Sequence, residues 1–320
     1  MITIKDVAKA CGVSTSTVSI VINGQEKKRH LSPVTVERIK KTMATLNYVP
    51  SRAAREMRGV TRPTLALMWV LDRRSNFFMR LVRGIKLMDQ IDLVILPYEN
   101  GNLLQALQKL KGHEYSGLLI GALNKEDLDT VHSYHFTIPV CLLNRSSERF
   151  SCVYTDPKEI AEKAVEVLKK RGCRSLGVCE GYLTTYPVLE RRRCVIEACR
   201  REGILVLERD MLSCSHTIVG GTEAASYYLY RKDAPDAVYL DNEMMALGFF
   251  IACMQKDDQH FTILASGIND PDIGQEELPG VYILDIPGEE IAKRGAEILL
   301  SQVEGGEPVA QKVDSRVRTF

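Results

Sequence analysis

The sequence lacks any apolar segment long enough to cross a bilayer, since its longest hydrophobic runs, such as Thr64 to Leu71, are only of strand length. The N-terminal residues MITIKDVAKACGV also lack the apolar region of a secretory signal peptide. The nine cysteines are an odd number, and no two of them have CxxC spacing. These absences argue against a disulfide framework, so we expect reduced thiols, no membrane partner and a cytoplasmic protein.

Sequence signatures of catalysis and of metal binding are missing as well. There is no GxxxxGK[ST] phosphate loop, no GxGxxG after a strand, no GxSxG turn and no HExxH motif. The six histidines show no spacing typical of metal ligands. We therefore expect a protein that is not an enzyme and that holds no metal or other cofactor.

The charge of the chain is divided unevenly, although its total is only +1. Residues 1–62 carry twelve lysines and arginines against four acidic residues, a charge of +8. The remainder, with 30 basic and 37 acidic residues, has a charge of −7. A basic segment joined to an acidic body favours a polyanion-binding module on a body that does not bind polyanions, although charge alone is equally compatible with a solvated basic face.

Three signals for the start of a helix occur within the first fifty residues. Thr3 and Asp6 form a capping box, Ser14 is a second N-cap, and Ser32 precedes a proline at the first helical position. Gly12 lies between the first two helices and allows a tight turn. This arrangement predicts a helix-turn-helix, whose second helix places its N-terminal residues at base edges in the major groove of DNA.

The second helix is predicted over Thr15 to Ile22, and its two edges differ in character. Val18 and Ile22 are four residues apart and predict a buried edge. The opposite edge carries small polar residues: Thr15, Ser16 and Ser19. A three-helix bundle without a DNA role is the alternative, but the basic charge and this polar edge favour DNA binding.

The residues TIKDVAKACGVSTSTVSIVING closely resemble the headpiece of the LacI/GalR repressor family, whose signature is T-I-x-D-V-A-x-x-A-G-V-S-x-x-T-V-S-x-V-[IL]-N. By position, the resemblance implies base contacts from Thr15, Ser16 and Ile20. It implies phosphate contacts, or a role in fixing the register, for five further residues: Thr3, Ser14, Thr17, Ser19 and Asn23. Because Ile20 stands where the family often has arginine or another polar residue, it should read a thymine methyl group or DNA shape instead of guanine.

Residues 51–60 are predicted to form a hinge helix between a headpiece at residues 1–50 and a core at residues 61–320. About two helical turns are too short to be stable alone, so we expect the hinge to fold only against DNA or a second copy of itself. The resemblance implies that Met57 wedges a base step open in the minor groove and that Arg58 lies beside it. An ordinary charged linker is the alternative interpretation.

From Thr64 onward, apolar runs of strand length alternate with amphipathic stretches. Eight runs predict strands: Leu65–Leu71, Leu93–Leu96, Gly117–Ile120, Pro139–Leu143, Leu176–Cys179, Ala237–Leu240, Thr262–Ala265 and Val281–Leu284. The alternation predicts an α/β core of parallel sheets covered by helices, in two lobes. Ligands of such folds bind beyond the carboxyl ends of the strands, so we expect site residues in the segments that follow: 72–78, 144–145, 181–191, 241–245 and 267–270.

The core also resembles the LacI/GalR family, whose core is two-lobed and periplasmic-binding-protein-like. DRRSNFF at residues 72–78 is similar to the family's D-x-x-N-P-F-F, and Arg191 stands where the family has the arginine of R-x-x-G-F-x-x-A. The resemblance implies a homodimeric regulator, with repression favoured over activation, whose affinity for a double-stranded DNA operator is linked to a small-molecule effector between the lobes. It implies effector contacts from five residues: Phe78, Asn144, Arg191, Asn242 and Asn269.

Two of these positions depart from the family pattern. Asn144 and Asn269 stand where the family usually has aspartate, whereas Arg191 is retained. Because neutral sugar hydroxyls suit a pair of carboxylate and arginine, loss of both carboxylates predicts an acidic or phosphorylated effector. A neutral sugar, and a core that serves only for dimerisation, remain alternatives. A free-standing solute-binding protein is a further alternative, but it would leave the headpiece unexplained.

Overall fold

The computed structural model describes residues 2–22, 25–26, 29–46, 48, 62–71, 76–110, 115–182, 185–256, 260–267 and 278–319. The predicted hinge helix lies outside these ranges, as do four predicted site residues: Asn23, Met57, Arg58 and Asn269. The chain divides into two units, Met1–Arg62 and Pro63–Phe320. The predicted domain limits at residues 50 and 60 stay predictions.

Three helices make up the described part of the first unit: α1 (Ile4–Cys11), α2 (Thr15–Ile22) and α3 (Pro33–Thr45). The residues buried between them are Val7, Ala8, Cys11, Val18, Val21, Ile39 and Tyr48. The predicted helix-turn-helix is confirmed, but the buried edge of α2 needs a correction. Val21 is buried beside Val18, whereas Ile22 is only partly buried against the same core. Because α2 packs against both α1 and α3, its buried face extends to the i+3 position.

The glycine turn after α1 and the N-terminal cap of α3 are both as the sequence predicts. Gly12 has φ +64° and accepts the left-handed conformation that ends α1 without the strain a side chain would add. The hydroxyl of Ser32 accepts a hydrogen bond from the N–H of Thr35 at 3.2 Å. Pro33 occupies the first turn of α3, where its missing N–H would have no partner within the helix.

The second unit consists of two lobes that the chain enters in turn. The first lobe contains β1 (Thr64–Val70), α4 (Asn76–Lys86), β2 (Asp92–Tyr98), α5 (Leu103–Gln108), β3 (Gly117–Ile120), α6 (Lys125–Ser133), β4 (Val140–Leu143) and β5 (Ser151–Tyr154). The second lobe contains α7 (Pro157–Lys170), β6 (Leu176–Gly181), α8 (Tyr186–Arg201), β7 (Met211–Cys214), α9 (Ile218–Leu229), β8 (Ala237–Leu240), α10 (Glu243–Gln255), β9 (Thr262–Gly267) and β10 (Val281–Asp285). The chain then returns to the first lobe with α11 (Gly288–Val303) and β11 (Ala310–Lys312), and it ends in the second with β12 (Arg316–Thr319).

Each lobe is built on one six-stranded sheet. The first has the order β11-β5-β4-β3-β1-β2, with all neighbouring strands parallel. The second has the order β12-β10-β9-β8-β6-β7, in which β12 runs antiparallel to β10. The predicted parallel sheets in two lobes are therefore confirmed. Strands β1, β3 and β8 are buried along their whole length, because helices cover both faces of a parallel sheet.

All eight predicted strands are present, and four further strands lie where the sequence predicts none. Three of these, β7, β11 and β12, are edge strands with many exposed residues, so they lack the continuous apolar run of a buried strand. The fourth, β5, is buried but only four residues long. Among the described residues no helix is long and apolar enough to cross a membrane. All nine cysteines are free thiols.

Candidate functional site

The first turn of α2 presents hydroxyl groups at the surface of the headpiece. The Ser14 hydroxyl accepts a hydrogen bond from the N–H of Thr17 at 3.1 Å and lies 2.9 Å from the Thr17 hydroxyl. Thr15 and Ser16 are exposed beside this cap. The partial positive charge of a helix N-terminus is therefore flanked by side chains that can donate hydrogen bonds, an arrangement that suits an anionic partner.

Thr3, by contrast, is already engaged within the headpiece. Its N–H and its hydroxyl both donate to the Asp6 carboxylate, at 2.8 Å and 2.7 Å. These hydrogen bonds hold the pKa of Asp6 below its usual value. A phosphate contact from the Thr3 hydroxyl would have to replace the bond to Asp6.

The remaining predicted residues of α2 are less accessible than its first turn. Thr17, Ser19 and Ile20 are each half-buried, whereas Thr15 and Ser16 are exposed. The part of the Ile20 side chain that reaches solvent is apolar. It can contact a methyl group, but it cannot form a hydrogen bond with a base.

In the core, the two lobes meet where parallel strands end. The N–H of Tyr186, in the second lobe, donates to the backbone oxygen of Leu123, in the loop after β3, at 3.3 Å. The guanidinium carbon of Arg145, in the loop after β4, lies 4.6 Å from the centre of the Tyr186 ring. We call the region between the strand ends of the two lobes the interlobe cleft.

An aromatic cluster closes the end of β1. The ring centroid of Trp69 lies 5.3 Å from that of Phe78 and 6.3 Å from that of Phe77. A Cβ atom on Gly121, which follows β3, would lie 2.6 Å from the indole ring, so only glycine lets Trp69 pack across the strand end. Phe78, predicted as an effector residue, is half-buried in this cluster. The sequence predicts Trp69 only as part of a strand, since nothing in it separates a role in the site from core packing.

Two neighbouring arginines of α8 are buried but have different partners. Arg192 donates to Oδ2 of Asp241 at 2.6 Å and forms an ion pair with Oε2 of Glu180 at 2.8 Å. Arg191 is only 6% exposed, and its Nε has no hydrogen-bond partner among the described residues. A hydrogen bond with the Tyr239 hydroxyl holds another part of the same guanidinium. The resemblance names Arg191, and the structure adds Arg192 as the residue that neutralises the buried Asp241.

Burial also affects the ionisation of these groups. It lowers the pKa of the Arg191 guanidinium, an effect that the nearby Tyr239, Asp241 and Glu243 oppose. Burial raises the pKa of Tyr239 to about 12, so its hydroxyl stays neutral at physiological pH. Arg191 is therefore a buried cation beside a neutral, fully buried hydroxyl, which also bonds to the Ser266 hydroxyl at 2.5 Å.

The two described asparagines of the predicted effector set have different environments. Asn242 caps α10, since its Oδ1 accepts from the N–H of Met245 at 2.8 Å, and its Nδ2 donates to the His216 backbone oxygen at 3.4 Å. Asn144 is half-buried at the end of β4 with φ +59°, and its N–H donates to the Val153 oxygen at 2.8 Å. The Asn242 side chain is thus occupied within its own lobe, whereas Asn144 is held through its backbone N–H.

A basic headpiece with a helix-turn-helix, followed by a two-lobed core with a cleft at its strand ends, defines a DNA-binding regulator that can respond to a ligand. Residues 3–51 match the family described as bacterial regulatory proteins, lacI family. Residues 65–267 match the periplasmic binding proteins and sugar binding domain of the LacI family. The chain belongs to the LacI family and is a transcriptional regulator of that family.

Individual relatives are similar over most of their length. The HTH-type transcriptional repressor PurR of Photobacterium profundum is 27% identical over 319 residues, which cover 95% of this chain and 92% of the relative. The HTH-type transcriptional regulator KdgR of Bacillus subtilis is 26% identical over 330 residues, with coverages of 99% and 96%.

Solved structures show the same fold. A LacI family transcription regulator from Clostridium acetobutylicum is 26% identical with a TM-score of 0.73, over 80% of this chain and 98% of that one. The lac repressor dimer bound to operator and the anti-inducer ONPF is 21% identical with a TM-score of 0.81, over 99% and 97% of the two chains.

Proposed function

We propose that this chain is a transcriptional repressor that binds a double-stranded DNA operator as a homodimer, and that a small molecule in the interlobe cleft changes its affinity for the operator. The observation that carries the proposal is the exposed, hydroxyl-bearing first turn of α2, with Thr15 and Ser16, on a segment of charge +8. Relatives named as transcriptional repressors support repression over activation. The proposed activity is binding and not catalysis, and an operator on bacterial DNA would place the protein in the cytoplasm.

Base reading is assigned to Thr15, Ser16 and Ile20 on α2. Hydroxyl groups that bond to phosphates fix the register of a protein on DNA, whereas contacts with base edges carry the sequence information. Phosphate or register roles are proposed for Ser14, Thr17 and Ser19, and for Thr3 if its bond to Asp6 is exchanged. The roles of Asn23, Met57 and Arg58 stay predictions, since these residues lie outside the described ranges.

An electrophoretic mobility-shift experiment with genomic fragments tests DNA binding. The folded dimer should shift a subset of fragments, and its affinity should fall steeply as salt rises, because phosphate contacts release counterions. Replacing Thr15 and Ser16 together by alanine should weaken the operator complex more than the complex with unrelated DNA. Thr45→Ala, at the exposed end of α3, is the matched control. A folded protein that shifts no fragment at low salt would exclude the proposed function.

Dimerisation is proposed through apolar side chains exposed on both lobes. Ile95 on the edge strand β2 is 43% exposed, and Val219 on α9 is 63% exposed. Tyr227 of α9 is also exposed, and α9 packs closely along α10. A second copy would cover this surface, and the similar lac repressor structure is described as a dimer bound to operator.

The oligomeric state of charged variants tests this surface. Val219→Asp and Ile95→Asp, combined, should give a monomer in light scattering, with a matching loss of operator affinity. Leu205→Asp introduces the same charge at a site that is 59% exposed outside this surface, and it should remain dimeric. A double variant that remains dimeric would show that the dimer forms elsewhere.

Effector binding is proposed in the interlobe cleft, with contacts from Phe78, Asn144, Arg191 and Asn242, and with Asn269 as a prediction outside the described residues. The effector is proposed to be a sugar, sugar acid or sugar phosphate, since the cleft combines aromatic rings with a buried cation. The coupling is reciprocal, so an effector that lowers operator affinity must itself bind less tightly to the operator complex. Fluorescence anisotropy of a labelled operator, measured with and without each compound that stabilises the protein, tests that coupling.

A further inference from the structure

A second buried arginine, Arg145, lies at the interlobe cleft. The strand pattern predicts site residues at positions 144–145, but neither this pattern nor the family resemblance assigns a ligand to Arg145. Arg145 directly follows Asn144 at the carboxyl end of β4 and is only 7% exposed. Neither its Nε nor its Nη1 has a hydrogen-bond partner among the described residues. Within the described ranges, Arg145 and Arg191 are the arginines with buried donors that lack both a hydrogen bond and an ion-paired carboxylate.

The ring of Tyr186 holds the Arg145 side chain in place across the two lobes. The guanidinium carbon stands 4.6 Å from the ring centre, a cation–π contact that leaves Nε and Nη1 without a hydrogen-bond partner among the described residues. Tyr186 begins α8, the helix that also carries Arg191. Tyr186 and Arg191 are five residues apart, a rise of about 7.5 Å along the helix axis, so Arg145 contacts the first turn of the helix whose second turn carries Arg191.

A purely structural role does not account for Arg145. A buried cation is costly unless it is paired and hydrogen-bonded. Arg192 of α8 is such a paired cation, with Asp241 and Glu180 as its partners. Burial lowers the pKa of Arg145, and within the described part of the chain the Tyr186 ring is the group that opposes this effect. The unpaired Arg145 guanidinium lies at a strand end, where ligands of this fold bind. Its burial destabilises the empty protein, and a bound anion would offset that destabilisation.

We propose that Arg145 of the first lobe and Arg191 of the second together bind the anionic group of the effector, a sugar carboxylate or a sugar phosphate. This inference rests on the proposed effector site, to which it adds Arg145, and it narrows the proposed effector to an anionic sugar. Arginine N–H groups bind carboxylate and phosphate oxygens through strong, charge-assisted hydrogen bonds. Because the two arginines belong to different lobes, a bridging anion favours the closed arrangement of the lobes.

The experiment compares anionic with neutral probes on the full-length dimer. Glucuronate, glucose 6-phosphate, orthophosphate and glucose are titrated by calorimetry, with chloride matching the ionic strength. At least one anionic probe should bind wild type about tenfold more tightly than glucose, and the arm that responds distinguishes a carboxylate site from a phosphate site. If no anion binds above the chloride control, the proposal is wrong.

Substitutions test whether the anion binds at Arg145 and Arg191 in the interlobe cleft. Arg145→Met and Arg191→Met should each weaken binding of the anion about tenfold or more, and Arg145→Lys should retain part of it. Arg200→Met, on the exposed last turn of α8, removes the same charge outside the cleft and should leave binding unchanged. Anion binding that persists in Arg145→Met would mean an adventitious site and would overturn the proposal.

The stability of the ligand-free variant separates binding from a structural role. If Arg145 serves the ligand, Arg145→Met should unfold at the same or a higher denaturant concentration than wild type, since an unpaired buried charge has been removed. A clear loss of stability would instead make Arg145 a structural contact between the lobes. A mobility shift on the same proteins distinguishes the failures: intact operator binding without anion binding contradicts only this inference, whereas loss of the shift in wild type contradicts the proposed function.

Discussion

In the headpiece, the hydroxyls of Ser14 and Thr17 lie near the surface and bond to each other, whereas in the core the Nε of Arg191 is buried without a hydrogen-bond partner among the described residues. Water satisfies exposed groups until DNA replaces it, so a DNA-reading surface keeps its polar groups at little cost to stability. A small ligand must be recognised inside a cleft, where unsatisfied groups destabilise the empty protein. The difference shows that the two regions should respond to substitution in opposite ways.

The largest effect is expected from the two neighbouring arginines of α8. Arg192→Met removes the partner of the fully buried Asp241 and should lower the free energy of unfolding by about 3–5 kcal/mol. Arg191→Met replaces a guanidinium whose Nε has no hydrogen bond within the described ranges, so it should change that free energy by less than about 1 kcal/mol. Urea denaturation followed by circular dichroism measures both. Equal losses would show that Arg191 is as fully paired as Arg192, and the comparison of the two regions would fail.

A core substitution in the headpiece tests whether the two units are energetically separate. Ile39 is fully buried in α3, and Ile39→Ala should destabilise the headpiece by about 3 kcal/mol through the cavity that it leaves. Operator binding should be lost, while the thermal transition of the core stays at its wild-type temperature. Val34→Ala, on the same helix but 76% exposed, is the matched control. A drop in the core transition would show that the units unfold together.

The parts of the fold that could be predicted are those whose causes lie close together in the chain. The caps at Ser14 and Ser32 bond to residues three positions away, and the central strands are apolar throughout because both faces are buried. Edge strands such as β11 and β12 lack that signal, because their residues are largely exposed. Their place in the sheets follows from pairing with distant strands, which no local pattern encodes.

The site shows the same limit. Arg191 and Arg192 are adjacent, and nothing local indicates which of them pairs with Asp241, 49 residues beyond Arg192 in the chain. The contact between Arg145 and Tyr186 joins two lobes and is equally invisible in the sequence. The family resemblance predicts Arg191 as a site residue, and the strand pattern predicts that the site lies at the carboxyl ends of the strands. Whether each buried arginine is paired or unpaired depends on contacts between residues far apart in the chain, which only the structure shows.

A cap substitution should have a smaller effect than either buried residue. Ser32→Ala removes the acceptor for the N–H of Thr35 and should destabilise the headpiece by about 1 kcal/mol. Ser32→Asp retains an acceptor and should restore the loss, since aspartate is an equally good N-cap. Amide hydrogen exchange in the first turn of α3 measures the change directly. If Ser32→Ala and Ser32→Asp exchange equally fast, the hydroxyl makes no contribution and the surface of the headpiece is less locally ordered than its hydrogen bonds indicate.

The smallest effect concerns pH and again separates the two regions. Hydrogen bonds from Thr3 lower the folded-state pKa of Asp6 below its usual 3.8, so the stabilisation from this carboxylate is complete above the unfolded pKa. It is lost as the pH falls through the lower, folded pKa. The stability difference between wild type and Asp6→Asn should therefore be constant near neutrality and shrink between about pH 5 and pH 2, in the headpiece transition alone. Glu37→Gln removes an exposed carboxylate of α3 and serves as the control. A difference that does not shrink would mean that Asp6 acts through packing, whereas a shift in the core transition would show that the headpiece and the core share their electrostatics.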